Sequence, residues 1–146
     1  MYTCILVGFD GSPSSRKAVD RAAELSSRLG SRLLIVTVVP PPTILIGELL
    51  LPEPLPSEQL VEAVKEGLRK LAEELRSQRQ GLDVETLVVE GDPAESLVET
   101  AKERGCGLIV VGRRGRGLAE KLLGSVSSKV VSIAKGVDVL VVEPER

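Results

Sequence analysis

Apolar residues fall into two kinds of run that alternate along the chain. Residues 4–9, 32–39, 84–89, 108–111 and 137–142 are short, largely β-branched or aliphatic runs. Near-continuous hydrophobicity of that kind fits strands buried on both faces. Between them the apolar positions recur with a helical period. Ala18, Ala22, Leu25 and Leu29 form one stripe, and Leu60, Val64, Leu68, Leu71 and Leu75 form another within residues 57–80. Such stripes predict amphipathic helices that each lay one face on a core.

Boundary residues sharpen the pattern. Ser12 supplies an N-cap hydroxyl and Pro13 fits the first helical position, where its missing N–H costs nothing. Gly30, Gly81, Gly105 and Gly136 stand where helices should stop, in the role of left-handed caps or turn residues. The stretch "GDPAE" predicts a third helix, with Asp92 as cap, Pro93 first and Glu95 reaching back as the second half of a capping box. A fourth helix is expected over residues 125–134.

Strands alternating with helices predict one doubly wound α/β domain, residues 1–146, with a parallel five-stranded sheet covered on both faces. Ligands in such sheets sit beyond the carboxyl ends of the strands, where the winding direction reverses. Strand order 3-2-1-4-5 puts that reversal between the first and fourth strands, bringing "FDGS" (residues 9–12) next to "GRRG" (residues 112–115). Order 2-1-3-4-5 would separate the two segments by a strand, and periodicity alone leaves both orders open.

Composition removes several functions. The chain has 146 residues, 42% of them apolar, and a net charge of −2 from 19 basic and 21 acidic side chains. This near-balance argues against a general nucleic-acid or anionic-membrane binder, and no apolar run reaches the ~18 residues of a membrane span. Cys4 and Cys106 lack C-x-x-C spacing, so neither a disulfide framework nor a zinc site is expected, and a reducing cytoplasm is the simplest setting. Histidine is absent, which removes the usual general base at neutral pH. Many Glu, Arg and Lys beside scarce amides point toward a thermophile's composition.

The segment after the fourth strand carries the candidate chemistry. Gly112 and Gly115 allow close backbone approach to a ligand. Gly124 and Ser125 should open the last helix, whose N–H groups and dipole favour an anion, with Ser125 and Ser127 adding hydroxyls. Asp10 faces them as an acceptor suited to ribose hydroxyls. Arg113 and Arg114 are candidates to neutralise phosphate, or else a solvated basic surface. Taken singly, each feature also reads as turn or cap chemistry; their convergence at one switch point is what favours a nucleotide. No G-x-x-x-x-G-K-[ST] loop is present, and "GFDGSPSS" after the first strand is not a G-x-G-x-x-G fingerprint.

Three segments, "ILVGFDGSPSSRKAV", "GDPAESLVETAKERGCGLIVVGRRGRG" and "LLGSVSSKVV…VDVLVV", resemble the universal stress proteins over essentially the whole chain. The resemblance implies strand order 3-2-1-4-5. It is similar to the ATP-binding branch, whose pattern is G-x-x-G-x9-G-[ST]; here eight residues separate Gly115 from Gly124. Further departures are Gly107, where an acidic residue is usual, and Val137-Asp138 in place of Cys-Pro. By position the resemblance implies that Asp10 meets the ribose and Val38 meets adenine through its backbone. Gly112 and Gly115 would line ribose and phosphates, while Gly124, Ser125, Val126 and Ser127 would hold phosphates. It also implies ATP, AMP or ADP as ligand, Mg or Mn carried on the phosphates, and a homodimer through Val139, Leu140, Val141 and Val142. With no histidine and no carboxylate cluster, a switch with at most slow ATP hydrolysis is expected rather than an enzyme of high turnover; the alternative is a dimeric interaction module of the same fold that binds no nucleotide.

Residues 40–56 form a proline-rich apolar insert in which the prolines prevent a regular helix or central strand. Two readings stand: a connection packed on the body, or a lid or apolar arm beside the carboxyl-end crevice.

Overall fold

A computed structural model of the chain describes residues 2–41, 57–113 and 124–144. Five strands and four helices alternate: β1 (Cys4–Gly8), α1 (Pro13–Leu29), β2 (Arg32–Val39), α2 (Ser57–Gln78), β3 (Val84–Glu90), α3 (Pro93–Arg104), β4 (Leu108–Gly112), α4 (Ser125–Ile133) and β5 (Asp138–Val142). All strand pairings are parallel, in the order β3-β2-β1-β4-β5. The sheet therefore has its winding reversal between β1 and β4, and the alternative order is excluded.

Alternation along the strands divides the core in two. Ile5, Val7, Leu33, Ile35 and Val110 face α1 and α2, packing on Ala18, Val19, Ala22, Leu68, Leu71 and Leu75. Leu6, Leu34, Val36, Ile109 and Val111 face the other way, onto Ala94, Leu97, Val98 and Ala101 of α3 and Val130 of α4. Ile5, Leu6, Leu33, Leu34 and Ile109 are fully buried, each worth roughly 1.5–3 kcal/mol relative to exposure. Small residues on α1, above all Ala18 and Ala22, let that helix lie close to β1 and β4.

Helix ends follow the local chemistry. Ser12 Oγ accepts from the Ser15 amide at 3.1 Å, Pro13 is the first helical residue, and Gly30 and Gly105 end α1 and α3 with φ of 70°. Only half of the expected capping box forms on α3. Asp92 accepts from the Glu95 amide at 3.0 Å, but the Glu95 carboxylate turns to Lys129 of α4 at 3.3 Å. A cation on the neighbouring helix offers it a stronger partner than its own cap amide.

The cysteines overturn an expectation. Cys4, at the start of β1, and Cys106, just before β4, are joined in a disulfide across a sequence separation of 102. The missing C-x-x-C spacing carried no information about this pair, because parallel adjacency of β1 and β4 brings remote residues together. The case for a reducing setting loses the support it drew from unpaired thiols; intracellular proteins of hyperthermophiles do carry disulfides. Among the described residues no helix is long and apolar enough to cross a membrane. The insert lies outside the described residues apart from Pro40 and Pro41.

Ser12 is 2% exposed and its hydroxyl fixes the first turn of α1. Ser12→Ala is expected to destabilise the fold by about 1 kcal/mol, read as a lower urea midpoint at unchanged slope.

Candidate nucleotide site

Beyond the carboxyl ends of β1 and β4 lies a cavity of about 300 Å³, at the lower end of the range of small-molecule sites. Val36, Val38, Leu97, Val111 and Val126 supply its apolar walls, and Gly8, Asp10, Gly112, Ser125 and Ser127 supply its backbone and polar edge. Of the candidate residues, Asp10, Val38, Gly112, Ser125, Val126 and Ser127 are thus brought together around one space. Gly124 is the N-cap of α4 beside them. Gly115 and Arg114, together with the eight residues whose count departs from the family pattern, lie outside the described residues.

Three helices begin around this cavity, and their first turns differ. The α1 start is closed by the Ser12 side chain and Pro13. The α3 start is closed by Asp92 and by Pro93, which has no N–H to offer. The α4 start is capped by Gly124, which has no side chain to engage the first amides, and its first turn carries no acidic residue. The unsatisfied N–H groups of a helix start favour an anion, so α4 is the end prepared to receive one. Pro93 and Leu97 of α3 instead form an apolar wall, suited to the flat face of a base.

Asp10 does two things at once. Its Oδ1 accepts from the Ser12 amide at 2.9 Å and from Ser15 Oγ at 2.8 Å, so the plain turn reading is correct. The residue is nonetheless exposed at the cavity rim. Ser127 is more committed. It is 2% exposed, and its hydroxyl bonds the Arg113 carbonyl at 2.9 Å or the Gly124 carbonyl at 3.1 Å. That hydroxyl is directed inward rather than free to donate to a ligand.

Arg113 also has its own work. Its amide donates to the Val142 carbonyl at 3.0 Å and its carbonyl accepts from the Gly124 amide at 2.7 Å. Its guanidinium pairs with Glu143 at 2.6 Å, and Arg113 is not among the cavity's lining residues. Arg113, one of the two arginines expected to neutralise phosphate, ties β4, β5 and the start of α4 together.

Lys129 did not stand out in the sequence. Its ammonium lies 3.1 Å from Asp92 and 3.3 Å from Glu95, holding α4 against the start of α3 on opposite sides of the cavity. The only available signal was a lysine one turn after the "GSVS" start. A second cavity, of about 410 Å³, opens on the other face between α1 and α2. Among the described residues it has no helix start of α4's kind, and its Arg16 and Glu74 are already paired with one another at 2.9 Å.

Two predictions come from this geometry. A Cβ on Gly112 would stand 2.4 Å from Ser14 Oγ and 2.6 Å from the Ser14 carbonyl oxygen. Gly112→Ala should therefore cost about 1–3 kcal/mol by overpacking, and Ser14→Ala should not rescue it, since the backbone clash persists; urea titration of both variants checks this. The second concerns Asp92, whose carboxyl is held below its ordinary range first by the Glu95 amide and then by Lys129. A depressed carboxyl contributes stability above its unfolded value, about 3.9, and loses it as pH falls through the folded value. Asp92→Asn keeps a good cap and should flatten the loss of melting temperature between pH 5 and pH 2; parallel curves would show that the pairing contributes nothing.

Comparison with known proteins agrees with the site's setting. The sequence model of the universal stress protein family matches residues 1–143. The chain is 40% identical over 141 residues to universal stress protein YxiE of Bacillus subtilis (strain 168), covering 92% of this chain and 95% of that protein. It superposes on a universal stress protein crystallised in complex with cAMP with a TM-score of 0.70 and 32% identity, over 97% and 96% of the two chains. Against the Archaeoglobus fulgidus universal stress protein in complex with dAMP the TM-score is 0.68 and the identity 25%, over 96% and 97%. A fold, a switch-point cavity and a sequence match over nearly the full length lead to one conclusion: this chain belongs to the universal stress protein family.

Proposed function

We propose that the chain binds an adenine nucleotide in the cavity between β1 and β4 and acts as a regulatory, switch-like protein of the stress response. The observation that carries this is the contrast among helix starts: of α1, α3 and α4, only α4 meets the cavity with a glycine cap and no first-turn carboxylate. Phosphates lie at Gly124, Ser125 and Val126, the ribose at Asp10 and Gly112, and the base against Val38, Pro93 and Leu97. In this reading Ser127 supports the phosphate end by fixing the α4 start, and Gly115 and Arg114 contribute from the connecting segment. The cAMP and dAMP complexes of related proteins support an adenine ligand; ATP is our choice within that class.

Among the described residues no group of three or more His, Cys, Asp or Glu side chains is arranged to hold a metal ion. Mg or Mn would accordingly be carried by the nucleotide's own phosphates. The chain has no histidine, so any ATP hydrolysis is slow and occupancy, rather than turnover, is the signal. The protein works in the cytoplasm as a homodimer paired through the outer edge of β5, where Val139, Leu140 and Val141 are half-buried and β5 ends the sheet.

Mass spectrometry of the denatured, purified protein should detect a carried-over adenine nucleotide. Saturation at about 100 times Kd should add about 2.7 kcal/mol of stability, visible as a thermal shift with ATP and magnesium. No nucleotide and no shift would defeat the proposal. Asp10→Asn preserves the Oδ1 acceptor of the turn while removing the charge, and should weaken ATP about tenfold or more. Gly124→Val should weaken it as well, by isothermal titration. Unchanged affinity in both variants would mean the site is elsewhere.

A further inference from the structure

The pairing between β1 and β4 is the shortest ladder in the sheet. Its register covers only Ile5↔Leu108, Leu6↔Ile109 and Val7↔Val110, against five residues for β1 with β2, seven for β2 with β3 and five for β4 with β5. Yet this junction carries Gly8 and Asp10 on one side of the cavity and Gly112 on the other. The Cys4–Cys106 disulfide sits at its opposite end, beside the bond from the Gly107 amide to the Cys4 carbonyl at 3.2 Å. Both cysteines are 1% exposed and pack in the same cluster as Ala94, Leu97, Val98 and Ala101 of α3. Leu97 runs on from that cluster to the cavity wall.

We infer that the Cys4–Cys106 disulfide makes the β1–β4 junction redox-responsive: oxidised, it clamps the shortest ladder of the sheet, and reduced, it releases the strand pair and the α3 wall beneath the ligand cavity. The reductant is a dithiol. One of its thiolates attacks a protein sulfur to form a mixed disulfide, and its second thiol then closes a new S–S bond in the reductant. The protein gains two electrons and two protons and is left with two thiols. Because the sulfurs are buried, attack requires local opening of β1 and α3, so reduction is slow in the native state and fast once the junction opens.

The test uses the full chain without nucleotide, so that failure of the nucleotide proposal leaves it intact. Protein purified without reductant and then denatured should show no free thiols, and two after treatment with dithiothreitol. The melting temperature should fall on reduction by on the order of 10 °C, as expected for release of a closed loop of this length in a domain of this size. Hydrogen exchange should accelerate at the amides of residues 5–10 and 108–113 more than at the β2–β3 pair. The double variant Cys4→Ala with Cys106→Ala should melt near the reduced wild type and ignore dithiothreitol. If that variant does not fold, the reduced wild type carries the same exchange comparison. Two free thiols before reduction, or melting and exchange unchanged by dithiothreitol, would overturn the inference.

Discussion

Parallel pairing of β1 with β4 is the constraint on which the rest of this structure depends. The chain leaves β1 through α1 to build β2 and β3 on one side, then returns through α3 to set β4 against the other side of β1. Helices wound in opposite directions leave the space above that junction uncovered. The cavity is the direct result. At its floor both strands carry glycines against which α1 and α3 pack closely. Gly8 has Leu97 3.0 Å from where its Cβ would lie, and Gly112 has the Ser14 backbone in the corresponding place.

Helix starts then divide the labour around that space. Each of α1 and α3 closes its own first turn with a side-chain cap and a proline, which secures the helix and leaves fewer free amides at its start. The α4 start has neither and is positioned from outside instead. The Arg113 carbonyl receives the Gly124 amide and the Ser127 hydroxyl, and Lys129 binds the α3 carboxylates. A helix start kept open for an anion must be fixed by groups other than its own cap, because a cap would compete for the same amides. The Ser127 hydroxyl and the Arg113 carbonyl supply such bonds.

The fold was largely legible in the residues themselves. Strand periodicity, Ser12-Pro13, Asp92-Pro93 and the terminating glycines located the elements to within a residue or two, since caps and breakers act over a single turn and need no distant partner. The site was half legible. Asp10, Gly112, Gly124 and Ser125 stood out because their chemistry is unusual for their places at strand and helix ends. Leu97 and Pro93 did not, because an apolar wall looks like core until the space beside it is known. The rotamer of Arg113 toward Glu143, and the choice of Glu95 between its cap amide and Lys129, depended on side chains from other elements.

By itself the sequence determined which segments become strands and helices, where each helix starts and stops, and that no histidine chemistry is available. These are local matters, governed by side-chain period, backbone freedom and capping. The tertiary structure confirmed the strand order that periodicity left open and the family resemblance implied, and it alone decided the disulfide between residues 102 positions apart and which helix start remained open to the cavity. Each of these is a meeting between segments remote in the chain, and a meeting of that kind is set by how the crossovers pack rather than by any property of the residues that meet.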